Sequence, residues 1–138
     1  MQFEVVTPKG SKIKAEVSQV NAPGTVGEMG ILPGHRPLIT SLGIGLLSYQ
    51  TGGQTQWLVV NGGFLEVADE ELVIITETAE APEEIDVARA EASQKRAIER
   101  LDGLAENQID ARKFTLDAIK RAEIRIAASK LKKQSIPD

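Results

Sequence analysis

The sequence has no cysteine and one histidine, His35, in 138 residues. Without cysteine there is no disulfide scaffold, no thiol nucleophile and no thiolate metal site. A lone histidine, placed in the bend Pro33-Gly34-His35-Arg36-Pro37, has no second imidazole to share a metal with and reads as a surface residue. Long apolar runs are also missing. The longest purely aliphatic stretch, Leu72 to Ile75, is far short of a bilayer span, and the start MQFEVVTPKG lacks the basic-then-apolar pattern of a secretory signal. The chain is therefore expected to be soluble, reaching a membrane only through a partner. An excess of positive charge is lacking too: the formal net charge is −4, which argues against binding nucleic acid, where a clustered positive field is needed. Phosphate-cradling signatures are absent, since the one G-x-G, Gly43-Ile44-Gly45, has neither a third glycine nor a following helix pattern. No serine sits in a recognisable serine, histidine, aspartate pattern. An enzyme is not expected.

What is present divides into two parts. Eleven of the 12 glycines precede position 64, whereas 12 of the 15 alanines follow position 78. Residues 1–78 carry 4 basic and 8 acidic side chains, and residues 79–138 carry 12 of each. The composition shift predicts a β domain over 1–81 and a helical one over 82–138. In the first part, Phe3 to Thr7 precede the turn signal Pro8-Lys9-Gly10, and Ile13, Ala15 and Val17 alternate with charged residues at a period of two. Short, bent strands are expected through Gly24 to Gly45. A hairpin is expected around Gly52-Gly53 between Leu46–Gln50 and Thr55–Val60, and another around Asp69-Glu70-Glu71 between Phe64–Ala68 and Leu72–Thr78. The acidic cluster reads as a turn rather than a carboxylate catalyst. The fold class that follows is an N-terminal antiparallel β-sandwich of about ten short strands followed by a C-terminal α-helical hairpin.

The second part has helical spacing. Pro82, Glu83 and Glu84 suit a helix entry, and Asp86 suits an N-cap. Helix one is expected from Val87 to about Ala105, with Val87, Ala90, Ala97, Leu101 and Leu104 in one stripe. Helix two is expected from a cap at Asp110 to about Leu131, with Leu116, Ile124, Ala127 and Leu131 on one side. Apolar burial by alanine is small, at about 25 cal/mol per Å², so the hairpin reads as an appendage that leans on something else and is able to leave it. Asp86, Arg89, Ser93, Arg96 and Arg100 fall at steps of three and four, placing a carboxylate and three guanidinium groups on one helix face. Two readings of that face stand: an anion site, or a solvated surface, since Glu91 and Glu99 each lie four residues from Lys95.

Two motifs in order point to a family. GEMGILPGHRPLIT, Gly27 to Thr40, and IDVARA, Ile85 to Ala90, with NGGFLEV, Asn61 to Val67, between them, resemble the signature loop and junction motif of the ε subunits of rotary F-type ATP synthases. The resemblance covers essentially the whole chain. It implies a non-catalytic central-stalk subunit whose sandwich sits by the membrane rotor ring and touches the γ subunit. The helical hairpin would fold down on the sandwich or extend into the catalytic head of α and β subunits, restraining ATP hydrolysis. It implies no required cofactor, with ATP as a regulatory ligand at residues matching Glu80, Asp86, Arg89, Arg96, Arg121 and Arg125. Glu28, His35 and Arg36 of the signature loop are the expected rotor contacts. Arg112, Lys113, Lys120, Lys130, Lys132 and Lys133, with Arg121 and Arg125, make helix two and its tail basic enough to engage acidic surfaces. The implied location is the cytoplasmic face of the plasma membrane, peripheral and in complex. Arg36, where the loop commonly has a small residue, and Gly103 in helix one depart from the pattern. The alternative is a free-standing nucleotide-sensing or adaptor domain without a rotary partner.

Overall fold

A computed structural model of the chain describes residues 1–131 and the backbone of residues 134–135; Lys132 and Lys133 lie outside the described residues. Strand β1 (Gln2–Thr7) turns at Pro8-Lys9 into β2 (Gly10–Glu16), and β3 (Gln19–Pro23), β4 (Glu28–Ile31), β5 (Leu38–Thr51), β6 (Gln54–Ala68), β7 (Glu71–Ile75) and the two-residue β8 (Ala79–Glu80) follow. One 3-10 turn, Pro82–Glu84, leads into α1 (Val87–Asp102) and α2 (Ile109–Ser129), and a short β9 (Gln134–Ser135) comes after them. The described residues form a nine-stranded sheet in the order β2-β1-β7-β6-β5-β3-β4, with β8 and β9 both pairing with β6.

The sheet becomes a sandwich through the β5–β6 ribbon. Its register runs unshifted from Leu38 opposite Val67 to Thr51 opposite Gln54, so two of the expected segments, Thr55–Val60 and Phe64–Ala68, are one long strand. The ribbon bends at Gly62 and Gly63, whose φ values of 70° and 102° suit glycine. A Cβ on Gly63 would lie 1.8 Å from the carbonyl oxygen of Ile75, so the bend brings two backbones closer than any side chain permits. Thr76 fixes the same place: its buried hydroxyl oxygen accepts the N–H of Asn61 (3.0 Å) and donates to the carbonyl oxygen of Thr78 (3.3 Å). Folded over on itself, the sheet encloses Phe3, Val5, Val20, Ile31, Leu47, Leu58, Leu65, Leu72 and Ile74. The turn at Asp69 and Glu70, with φ of 49° and 64°, has the left-handed geometry of a two-residue hairpin, as the acidic cluster predicted.

The expected β-sandwich followed by a helical hairpin is present, and three details within it differ. One strand pairing is not antiparallel: β1 pairs with β7 in parallel, Phe3 opposite Leu72, where the chain returns to the first strand after the long ribbon. Helix α1 stops at Asp102 with Gly103 as its C-cap in ordinary right-handed geometry, so Gly103 lies outside the helix and Leu104 and Ala105 belong to the loop. Helix α2 starts earlier than predicted: Gln108 is the N-cap residue, its side chain turned back to accept the N–H of Ala105 (2.8 Å), and Asp110 lies in the first turn, where a carboxylate favours the helix dipole.

The hairpin packs by small residues. Helix α1 buries Ala90 and Ala97, and α2 buries Thr115, Ala122 and Ala128, while Leu116 and Ala127 of the predicted apolar side are exposed. Helix α2 lies between α1 and the sheet, so its short residues are used on both sides. Among the described residues its buried apolar contact is a small cluster in which Ala128 and the half-buried Ile124 meet Val59 of the sandwich and Ile85 of the junction. Val59 is why three successive residues of β6, Leu58, Val59 and Val60, are all buried: the neighbours face the core and Val59 faces the helix.

The junction is clasped at Glu84. One carboxylate oxygen accepts from Lys12 Nζ of β2 (2.6 Å) and the other accepts the N–H of Ala81 (3.3 Å). The hydrogen bond from Lys12 holds the Glu84 carboxyl below its ordinary pKa, with the Ala81 N–H and the lysine charge adding to it against partial burial. A folded-state pKa that is depressed contributes stability that is complete above the unfolded value and is lost as pH falls through the folded one. The melting-temperature difference between wild type and Glu84→Gln is therefore expected to be constant above about pH 5 and to shrink below the ordinary glutamate value of about 4.3. Midpoints measured from pH 3 to 8 check this; a pH-independent difference would exclude the clasp as a contributor. For the bend, Gly63→Ala is expected to cost about 3 kcal/mol and lower the midpoint by roughly 10 °C, because backbone must move to admit the methyl. A shift below about 2 °C would show that the close approach carries no stability.

Candidate functional site

Between the sandwich and the hairpin lies a cleft whose walls come from three distant segments. Its centre is an ion pair. Arg125 of α2 donates from Nη2 to Glu80 Oε2 (3.0 Å), and its Nε lies 2.9 Å from Oε1, with the two side chains 22% and 28% exposed. The Nε proton is not aimed at that oxygen, so a buried N–H of Arg125 is left without a hydrogen-bond acceptor. Glu80 is positioned by β8, which pairs with β6 through Val59 opposite Glu80 and Val60 opposite Ala79. The apolar contact at Val59 and the ion pair at Glu80 are thus opposite one another in register.

The ion pair lies where two lobes meet. The first, about 720 Å³, is lined by Lys9, Ser11 and Lys12 on the sandwich side, by Arg89, Ser93 and Arg125 on the hairpin side, and by Glu77, Thr78, Glu80 and Glu84 between them. The second, about 360 Å³, shares Thr78, Glu80, Ser93 and Arg125 and is completed by Asn61, Ala118, Arg121 and Ala122. Of the six residues named from the resemblance, Glu80, Arg89, Arg121 and Arg125 line this two-lobed cleft. Asp86 and Arg96 do not. Asp86 is the N-cap of α1, its carboxylate accepting the N–H of Arg89 (3.1 Å), which orients the first turn of that helix. Arg96 donates from Nη2 to Ser93 Oγ (3.1 Å), one turn away from the lobes, and so holds a residue that lines both of them.

Sequence reading missed one wall of the cleft. Lys9, Ser11 and Lys12 come from the β1–β2 hairpin, and no helical or strand period links them to arginines more than 70 residues later. Their basic character in a turn was the only available signal. The first lobe gathers four cations, Lys9, Lys12, Arg89 and Arg125, against three carboxylates, Glu77, Glu80 and Glu84, two of which are engaged in ion pairs. Such a lobe can hold a polyanion through charge-assisted bonds. Among the described residues no group of three or more acidic or histidine side chains is placed to hold a metal ion.

The other candidate residues form a separate surface. Glu28 begins β4, and His35 and Arg36 lie in the loop before β5, all exposed. The loop is shaped by the N–H of His35 donating to the carbonyl oxygen of Leu32 (3.1 Å) and by that of Gly34 donating to Glu70 Oε1 (3.0 Å). His35 Nδ1 lies 2.7 Å from the carbonyl oxygen of Arg36, a contact that places a proton on Nδ1. Glu70 of the β6–β7 turn therefore fixes the loop from outside it. Beside them the outer sheet face carries Ile39, Phe64 and Ile75, which are 71%, 57% and 55% exposed. Phe64 lies opposite Ile75, and Ile39 opposite Glu66, so the three side chains share one face.

This arrangement has known counterparts. Residues 1–82 match the family model described as ATP synthase, Delta/Epsilon chain, beta-sandwich domain. The ATP synthase epsilon chain of Pelotomaculum thermopropionicum is 52% identical over 100 residues, covering 72% of this chain and 75% of that protein. ATP synthase epsilon chain 2 of Syntrophotalea carbinolica is 40% identical over 126 residues, covering 91% of each. A chain in the cryo-EM structure of the Euglena gracilis mitochondrial ATP synthase, comprising OSCP, F1 and c-ring, superposes with a TM-score of 0.79 at 27% identity, covering 91% of this chain and 79% of that one. The family model spans more than half of the chain and the similarity to named epsilon chains continues through the helices, so the chain belongs to the ε-chain family of ATP synthases.

Proposed function

We propose that this chain is the switchable brake of its ATP synthase, with the hairpin as the moving part and ATP as the ligand that keeps it down. As an ε chain it is a non-catalytic central-stalk subunit of the membrane-associated enzyme. The observation that carries the further reading is the narrowness of the hairpin's seat. Among the described residues, one small apolar cluster and one ion pair with a single hydrogen bond join α2 to the sandwich, beside a cleft rich in guanidinium groups. Such a seat gives two conformations separated by a few kcal/mol, the range in which a ligand decides the population.

In this reading the exposed apolar face of Ile39, Phe64 and Ile75 seats the γ subunit, and the loop with Glu28, His35 and Arg36 meets the membrane rotor ring. The sandwich is the fixed half and stays with the stalk as the hairpin moves. Exposed apolar residues sharing one rigid sheet face are what a lasting partner contact requires. When extended, the basic side of α2, with Arg112, Lys113, Lys120, Arg121 and Arg125, engages acidic surfaces of the catalytic head of α and β subunits and opposes hydrolysis. No described helix is long and apolar enough to cross a membrane, so attachment at the cytoplasmic face of the plasma membrane runs through these partners.

ATP holds the hairpin down through Arg89, Arg121 and Arg125, with Asp86, Glu80 and Arg96 keeping those groups in place. Inverting a 1:99 population to 99:1 takes about 5.5 kcal/mol of differential affinity, and two or three charge-assisted bonds of about 1.5–3 kcal/mol each supply it. Because the arginines come from two helices and Glu80 from the sandwich, an extended hairpin loses part of the set, which provides the difference. Arg89→Ala and Arg121→Ala are each expected to weaken ATP binding at least tenfold, measured by calorimetry on the isolated chain; unchanged affinity in both would reject the site. Deleting residues 107–138 in the reconstituted enzyme is expected to leave the complex assembled and to raise ATP hydrolysis severalfold. Hydrolysis no higher than wild type at low ATP would reject the brake.

A further inference from the structure

We infer that the β1–β2 hairpin is the third wall of the nucleotide site, and that Lys9 holds the terminal phosphates of a nucleoside triphosphate against Arg89 of α1. The inference rests on the reading that a nucleotide occupies the cleft. It adds the element that lets the sandwich itself sense the number of phosphates.

The turn is built to present this lysine. Residues Thr7 to Lys12 all line the larger lobe, and Gly10, with a φ of 114°, reverses the chain where a side chain would be strained. Thr7 Oγ1 accepts the N–H of Lys9 (3.2 Å), which closes the turn and leaves the lysine side chain projecting from a fixed backbone. The four cations of the lobe then separate by their partners. Lys12 is bonded to Glu84 at 2.6 Å, and Arg125 is clasped by Glu80. Among the described residues neither Lys9 nor Arg89 is in an ion pair. One belongs to the sandwich and the other to the hairpin, across a lobe of about 720 Å³, which is of the size that holds a whole small ligand rather than a single phosphate. Glu77 is the remaining carboxylate of the lobe without an ion pair, and it is exposed.

A polyphosphate between Lys9 and Arg89 bonds to both halves of the molecule at once. Each further phosphate adds charge at the sandwich side, where Lys9 and the Ser11 hydroxyl lie, while the smaller lobe near Arg121 holds the rest of the ligand. Discrimination of ATP from AMP would thereby arise at a turn that lies outside the helical hairpin. Ser11 Oγ now donates to Glu4 Oε2 (2.8 Å), so its oxygen still has lone pairs to accept but its proton is engaged, and Lys9 is the principal group.

The test is calorimetric titration of the full-length chain with ATP and with AMP, in wild type, Lys9→Ala and Lys9→Arg. Lys9 is an exposed turn residue, so these variants are expected to fold, with circular dichroism and the melting midpoint as the check. The expected result is a loss of about fivefold in ATP affinity for Lys9→Ala, little change for AMP, and near-complete recovery in Lys9→Arg. The ATP loss should diminish as salt is raised from 50 to 300 mM. If wild type binds ATP and Lys9→Ala binds it equally well, or if AMP and ATP lose affinity in equal measure, the turn is no phosphate wall and only this inference falls. If wild type itself binds no ATP, the underlying reading of the cleft falls, and this one with it.

Discussion

The guanidinium of Arg125 is the charged contact by which helix α2 meets the β part of this molecule. It is only partly exposed, it is clasped by Glu80, and it lines both lobes of the cleft. A partly buried pair with one charge-assisted hydrogen bond is worth about 1 kcal/mol, more than an exposed one, because fewer waters compete for the same atoms. The apolar cluster beside it, Val59, Ile85, Ala128 and Ile124, adds a few kcal/mol at about 25 cal/mol per Å². Neither figure approaches what holds the sandwich together. The hairpin is therefore docked by interactions of the size that ligands and partners routinely supply, and Arg125 takes part in the docking and in the cleft alike.

The sandwich shows the opposite economy. Its β5–β6 ribbon runs through both halves of the sheet, so opening one half disturbs the other. The bend at Gly63 has no room for a side chain, and the hydroxyl of Thr76 satisfies the N–H of Asn61 where the ribbon departs from regular pairing. Large residues fill its core, Phe3, Leu47, Leu58, Leu65, Leu72 and Ile74, whereas alanines and one threonine fill the hairpin contact. The two halves thus differ in the size of what they bury. In the proposed function a signal at the cleft would act on the loosely held half, because a packed β core does not yield to one or two bonds.

Much of this was legible in the sequence, for identifiable reasons. Alternation in Ile13 to Val17, the glycine pair at 52–53 and the change to alanine after position 78 follow from local geometry, and local geometry is what a sequence records most directly. Asp86 as an N-cap was legible for the same reason. The parallel pairing of β1 with β7 was not, since residues 2–6 and 71–75 carry no mark of each other. Nor was the true buried side of α2: with alanines all round, periodicity does not distinguish a face toward α1 from a face toward the sheet. The cleft was half legible. Arginines at helical spacing were visible, but Lys9 and Lys12 join them only through the tertiary fold, and Glu84, taken for a helix-entry residue, turns out to be the partner that engages Lys12.

Glu80 sharpens how the cleft must work. A carboxylate repels phosphate, so its presence among four cations needs a physical reason, and the geometry supplies one. The guanidinium has five N–H donors in a plane; Glu80 accepts from Nη2, Nε is buried, and Nη1 makes no hydrogen bond among the described residues. Donors remain on Arg125 even with the ion pair intact. An anion therefore need not displace Glu80; it is enough to approach the free edge of a guanidinium that the carboxylate already holds in one rotamer, which removes part of the side-chain entropy cost of binding. Without Glu80 a long arginine side chain would have to be ordered by the ligand alone. In the proposed function the same carboxylate docks α2 and would present a pre-oriented cation to an anion, so docking and binding would reinforce each other instead of competing for one residue.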